Sequence, residues 1–263
     1  MIPRELSSSG LKVSGIKLKL FSLLLSIFIS TNVYAAHLKV AFGESRPPYI
    51  FEEGKKLSGI EIDIIRESLL LAGHTISYNQ LPNNRLQLAI TKMNYDVAVG
   101  VLDHFPLLYS SEYMEVKSYA IAKVGKGVKL TSINDLNKYS VGAFPSAWIN
   151  SGEEYKKMFA PDVKGNFAAN YSEPLTSEIR SKMFWRDRFD IAITNKVTFE
   201  YYKKSLSNSF DTSADVIYYD IFKENLKFRA VFKDEKVRDS FESGLRQLKR
   251  SKRYLRIFQY YIQ

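Results

Sequence analysis

Leu38-Lys39-Val40-Ala41-Phe42-Gly43-Glu44-Ser45-Arg46-Pro47-Pro48-Tyr49 opens the part of the chain, His37 to Gly100, whose reading decides the fold. Leu38 to Phe42 is a short apolar run stopped by Gly43, and two prolines bar the next turn from helix, so a strand should end in a stiff loop. From Gly59 the apolar spacing becomes helical. Ile62, Ile65, Leu69 and Ala72 share a face, Ile64 and Leu71 lie beside it, and Gly73 is placed to end the helix. His74 to Gln80 alternates as a second strand. Asn83 or Asn84 can cap a helix carrying Leu86, Ala89, Ile90 and Met93, and Asp96-Val97-Ala98-Val99-Gly100 reads as a third strand. Right-handed crossovers in one parallel sheet bring the three strand-to-helix turns to the same edge, where open α/β sheets bind ligands. The expected site is therefore Glu44 to Tyr49, Asn83 to Arg85 and Gly100 to His104.

The rest of the chain repeats this architecture without repeating its sequence. Glu115 to Lys123 is a strand-like run, followed by a polar connector from Gly125 to Asp135. A strand is expected over Tyr139 to Phe144, with its turn at Pro145-Ser146 and a helix over Trp148 to Phe159. Further strands are expected at Gly165 to Tyr171 and Phe189 to Thr194, with a helix over Pro174 to Trp185 between them. Val216 to Phe222 and Phe228 to Phe232 read as late strands. Lys236 to Lys249 then places Val237, Phe241, Leu245 and Leu248 on one helical face. Two units with one site each at a shared edge make a cleft.

Certain of these residues, taken together, resemble a known family. Gly43-Glu44-x-x-Pro47-Pro48-Tyr49, followed by Gly54-Lys55-x-Leu57-x-Gly59-Ile60-x-Ile62-Asp63-Ile64, resembles the opening of the family 3 extracellular solute-binding proteins, the receptors of polar amino acid importers. Pro82-x-x-Arg85 and Asp96 to Gly100 continue the resemblance in order and spacing. It implies an α/β, two-lobed periplasmic binding protein-like (type II) fold with a hinge between lobes. Lobe 1 would be residues 36–117 plus 228–263 and lobe 2 residues 118–227, with the terminal helix packed back on lobe 1. It also implies a monomer that captures a small polar solute, amino acid-like or another small anion or zwitterion, for a membrane permease of the ABC type. A soluble sensor reporting to a membrane partner uses the same closure, and periplasmic dehydratases share the fold. Binding is preferred over catalysis.

Residues 1–35 stand apart. Lys12, Lys17 and Lys19 precede the apolar run Leu20 to Ile29, and Val33-Tyr34-Ala35 offers small residues to a signal peptidase. The run is shorter than the ~20 apolar residues that a membrane span needs. A signal peptide and a periplasmic location are expected. Cysteine is absent, which rules out disulfides, thiolate chemistry and a lipidated cysteine. Cleavage after Ala35 removes four basic residues and one acid and leaves about 228 residues at a net charge of about +7. That balance favours anionic ligands or a negatively charged envelope surface.

Arg85 falls in the first turn of a helix, where the dipole disfavours a cation, so its place at the sheet edge suggests a guanidinium offered to a ligand carboxylate. Tyr49 either stacks on a ligand or closes the lobe's core. Ser146 can present its hydroxyl and neighbouring N–H groups to an anion, or serve as a plain cap. Two departures from the amino acid receptors stand beside these candidates. The family carries an arginine in a Thr-x-x-Arg context after the third strand, where this chain has Leu102-Asp103-His104-Phe105-Pro106-Leu107. It also carries an aspartate where this chain has Asn195, and an amide does not neutralise an ammonium ion. Glu44 or Asp103 would then take a ligand cation and Arg85 the anion. His104, Glu44 and Asp103 are the titratable candidates at the edge, whereas His37 and His74 lie at strand starts, away from it. Motifs for a metal, a cofactor or a phosphate loop are missing. The basic cluster Arg246, Lys249, Arg250, Lys252, Arg253 and Arg256 reads as the solvated face of the last helices, not a nucleic-acid patch. Mass spectrometry of the envelope-fraction protein should find a mature chain beginning at Ala36. A chain retaining Leu20 to Ile29 would overturn the assigned location.

Overall fold

The computed structural model describes residues 35–86, 88–100 and 106–262. Residues 1–34 of the expected signal peptide, Asp103 and His104 lie outside them. The chain begins with β1 (His37–Phe42), α1 (Ile60–Leu71) and β2 (Thr75–Gln80), followed by β3 (Val97–Val99) and β4 (Leu108–Tyr109). It then builds β5 (Ser118–Lys123), β6 (Val141–Gly142), β7 (Tyr171–Ser172), α2 (Ser177–Trp185), β8 (Ile191–Asn195), α3 (Lys196–Ser205) and β9 (Val216–Tyr219). It returns with β10 (Ala230–Phe232), α4 (Glu235–Arg250) and α5 (Lys252–Ile262).

Two five-stranded sheets result, ordered β2-β1-β3-β10-β4 and β7-β6-β8-β5-β9. In the first, β1 pairs in parallel with β2 and β3, and the returning β10 joins antiparallel to β3. In the second, β6 pairs in parallel with β7 and β8, while β5 runs antiparallel to β8. Between the sheets, Met114–Val116 and Leu226–Phe228 pair antiparallel, so the outgoing and returning strands run side by side. The order of the parallel strands reverses between β1 and β3 in the first sheet and again between β6 and β8 in the second. Such switch points leave a crevice at the carboxyl edge.

The first core forms where the apolar face of α1 meets β1, β3 and α4, with Ile62, Ile65, Leu69, Phe232, Phe241 and Leu248 all buried. Phe232 and Phe241 meet at 5.0 Å between ring centroids. α5 lies on α1 and α4. Its Ile257 enters the core, Arg253 pairs with Glu67, and the Tyr261 hydroxyl donates to Asp63 at 2.8 Å. That pairing takes Arg253 out of the basic cluster, while Arg250, Lys252 and Arg256 remain exposed. His74 is buried. Its Nδ1 accepts from the Ala36 N–H at 3.2 Å, so Nε2 carries the proton donated to Ser240 Oγ at 2.7 Å, and burial lowers its pKa.

Several expected elements are shorter than the apolar pattern suggests. The helix expected over Trp148 to Phe159 is two, Ala147–Asn150 and Glu153–Phe159, because Gly152 takes φ 92° between them. The strand expected at Gly165 to Tyr171 shrinks to β7. Asp162 Oδ1 accepts from the N–H groups of Lys164 and Asn166, which fixes a side-chain turn where a ladder would need extended backbone. The run from Phe228 to Phe232 divides at Arg229, its ends belonging to the connecting pair and to β10. The helix expected to carry Leu86 through Met93 is two short pieces, Asn83–Leu86 and Ala89–Lys92.

Gly244 marks the closest approach of α1 and α4. A Cβ there would stand 2.0 Å from the Ser68 carbonyl oxygen, a backbone atom that cannot swing aside. Helix propensity alone predicts that Gly244→Ala gains about 1 kcal/mol. Overpacking costs about 1 to 3 kcal/mol and should win, so Gly244→Ala is expected to lower the urea midpoint. A raised midpoint would mean that the two helices are not held at this distance.

Candidate functional site

The loop after β1 is fixed from both sides. The Arg46 N–H donates to Ile50 O at 2.7 Å, Pro47-Pro48 is a cis bond, and the first two N–H groups of α1 are taken by loop carbonyls, Ile60 to Pro48 at 3.1 Å and Glu61 to Tyr49 at 3.0 Å. Gly59 permits this approach. Its φ is 132°, and a Cβ would stand 2.2 Å from Tyr49 O. The first turn of α1, which in isolation would attract an anion, is thus occupied by the protein's own backbone.

Arg46 lies at the crevice between β1 and β3. Its Nη2 is 3.7 Å from where a Cβ on Gly100, just after β3, would stand. The guanidinium pairs with Glu61, whose other oxygen accepts from the Tyr113 hydroxyl, and it stacks 4.8 Å over the ring of Phe228. Glu61 is fully buried, and burial pushes its carboxyl up against the opposing pull of Arg46 and Tyr113. The sequence places Arg46 only within the edge stretch Glu44 to Tyr49. The side chain turns inward, about a third exposed, tying the loop to α1 and to the returning strand. The signal for this was Glu61, an acid one turn before Ile64 and Ile65 on the buried face of α1.

The other candidates divide between the lobes. Tyr49 is buried, and its hydroxyl crosses to the second lobe to donate to Asn195 Oδ1 at 3.0 Å. Burial raises its pKa. Asn195 also caps α3, with Oδ1 accepting from the Thr198 N–H at 2.8 Å and Nδ2 donating to Thr198 Oγ1 at 3.0 Å. Phe51 and Tyr201 add an aromatic contact across the same junction at 6.5 Å, and Val197 packs against the first core. Glu44 and Arg85 are exposed, Arg85 at the end of the short helix after β2. Asp103 lies outside the described residues.

Ser146 has φ 61° and caps the short helix after β6. Its N–H and that of Ala147 donate to the two oxygens of Glu173, at 2.7 and 3.1 Å. The Tyr171 hydroxyl adds a third bond to that carboxylate at 2.7 Å. The N–H pair expected to meet a ligand anion therefore holds an internal acid. Nothing in the spacing of Glu173 from Ser146 announced this. Among the described residues no group of three or more His, Asp or Glu side chains is placed to hold a metal, and no helix is long and apolar enough to cross a membrane.

Two α/β lobes joined by paired crossing strands, with facing carboxyl edges, constitute the two-lobed periplasmic binding protein fold. Solved structures share it. An ancestral arginine-binding protein bound to arginine superposes with a TM-score of 0.64 at 18% identity, over 86% of this chain and 97% of its own. A substrate-binding protein of an ABC uptake transporter from Streptococcus pneumoniae with bound histidine gives 0.63 at 17%, over 86% and 92%. An ancestral amino acid-binding protein described as a precursor of cyclohexadienyl dehydratase gives 0.63 at 14%, over 86% and 96%. At these identities the likeness is one of fold. No protein-family model matches the sequence, and no curated protein matches it.

Truncating Arg46 would leave Glu61 buried without its counter-charge. Arg46→Met is expected to cost about 3 to 5 kcal/mol, the range for removing one partner of a buried pair, and Arg46→Met combined with Glu61→Gln should recover most of it. A carboxyl with a raised pKa binds its proton more tightly in the folded than in the unfolded chain. The deficit of the single variant should therefore shrink as pH falls and grow as Glu61 ionises. Urea unfolding across pH checks this, and a pH-independent deficit would show that Glu61 does not ionise within the fold.

Proposed function

We propose that this protein is a periplasmic solute-binding protein that clamps a small polar solute between its lobes and presents it to a membrane permease, acting as a monomer. The observation that carries the reading is the Tyr49–Asn195 hydrogen bond, which joins the carboxyl edges of the two sheets across the cleft. Two crossing strands restrict the lobes to opening about that pair, as hinge closure requires. Residues 36–117 plus 228–263 would move as one lobe and 118–227 as the other. A solute that touches both edges binds the closed state better and draws the equilibrium toward it. The folds reported above include proteins with bound arginine and bound histidine, which supports a polar, amino acid-sized solute. Catalysis fits less well. Glu173, the acid at the second lobe's edge, already accepts from three donors, which commits both of its oxygens to the protein itself.

A thermal-shift screen of the mature chain against amino acids, organic acids, amines and sugars tests the reading. A solute at 100 times its dissociation constant adds about 2.7 kcal/mol, or roughly 5 to 10 °C for a chain of this size. Complete absence of shifts would count against capture. In the first lobe, Arg85 is the exposed cation at the edge after β2. Arg85→Ala should weaken an acidic solute roughly ten- to a hundred-fold without changing the melting temperature, and Arg85→Lys should recover only part, because an ammonium lacks the planar fork. Calorimetry showing unchanged affinity in Arg85→Ala would make Arg85 a surface charge.

A further inference from the structure

Among the described residues, Arg180 is a buried cation without an acid. It lies on α2 with 3% of its surface exposed. Nη2 donates to Ser177 Oγ at 3.0 Å and to Thr194 Oγ1 at 3.3 Å, while Nη1 is buried with no hydrogen-bond partner among the described residues. Among the described residues its electrostatic neighbours are the phenols of Tyr202, Tyr155 and Tyr171, and burial lowers its pKa to about 10. Buried charges are ordinarily paired, since desolvating one ion without compensation costs several kcal/mol. The two hydroxyls hold the fork in place but do not neutralise it.

Its position gives the orphan charge a purpose. Ser177 is the first residue of α2, one turn before Arg180, so the guanidinium points toward the amino end of the helix, as helical side chains do. Thr194 is the penultimate residue of β8, directly before Asn195. Both partners therefore lie at the carboxyl edge of the second sheet, beside the residue that Tyr49 closes over. Of the acids on that edge, Glu173 is committed to Ser146, Ala147 and Tyr171, and Glu178, in the first turn of α2, pairs with Lys182.

We propose that Arg180 is the second-lobe seat for a carboxylate of the captured solute, which makes the ligand an organic acid. This rests on the binding-protein reading above. A carboxylate oxygen accepting from Nη1 supplies both the missing acceptor and the missing counter-charge, and the planar fork suits two oxygens in one plane. The amide at Asn195 agrees with this, since a solute held by its acid group needs no acid at that position.

The test is thermal unfolding of the mature chain with acetate, pyruvate, succinate, L-glutamate, L-glutamine, putrescine, glucose, sulfate and phosphate. Calorimetry of any binder on wild type, Arg180→Met and Arg180→Lys follows. At least one carboxylate should raise the melting temperature. Arg180→Met should weaken it roughly ten- to a hundred-fold, with part recovered in Arg180→Lys. Without solute, Arg180→Met should melt at or above wild type, because it removes a buried charge that the protein itself does not compensate. Equal affinity in Arg180→Met overturns the seat and leaves the binding-protein reading standing, as does a screen in which only putrescine, glucose, sulfate or phosphate binds. A ligand-free Arg180→Met that melts lower, or fails to fold while Arg180→Lys folds and binds like wild type, makes Arg180 a structural support and overturns the seat. A screen with no shift at all overturns both.

Discussion

The hydrogen bonds from the first N–H groups of α1 to the carbonyls of Pro48 and Tyr49 are the constraint on which the rest of the cleft depends. The start of a helix has several donors with no partner inside it, and they must be met by something. Here the loop after β1 folds back and meets two of them, which requires Gly59 at the contact and places Tyr49 with its hydroxyl facing the other lobe. The same bend delivers Arg46 over Glu61. Backbone geometry, not side-chain attraction, therefore sets the register of the first lobe's edge, and the charges are arranged around it.

The fold was legible in the sequence because its main signals are periodic. The alternation in β2, the apolar face of α1 and the stripe Val237, Phe241, Leu245 and Leu248 each follow from burying one side of a regular element, and each appears in the core. The elements that shortened did so through local exceptions that periodicity does not register: Gly152 in a left-handed conformation and the Asp162 side-chain turn. The site was less legible. Tyr49 and Asn195 meet across 146 residues, and only the closing of one lobe on the other brings them together. Arg180 gave no signal at all, because a charged residue in a helix without a clear apolar face reads as solvated until its neighbours are known.

The two lobes solve their electrostatics differently. In the first, Arg46 and Glu61 compensate one another and Tyr113 completes the carboxylate's bonds, so the pair holds a loop without offering free charge. In the second, the acid and the cation are separated. Glu173 is satisfied by backbone N–H groups and a phenol, whereas Arg180 Nη2 meets two hydroxyls and Nη1 meets no partner among the described residues. Paired charge gives rigidity, whereas separated charge keeps one sign available to a partner, which is the role proposed above for Arg180.

The Tyr49–Asn195 bond has a kinetic corollary. A hydrogen bond between two protein groups holds the lobes together without any third molecule, so under the function proposed above the shut form is populated before solute arrives. Entry must then wait for a spontaneous opening. The apparent dissociation constant is raised by the inverse of the open fraction, and the observed association rate stops increasing with solute concentration once it reaches the opening rate. The strength of one phenol-to-amide contact thus trades uptake speed against retention. A chain with phenylalanine at position 49 would fill faster and empty faster at nearly the same intrinsic chemistry.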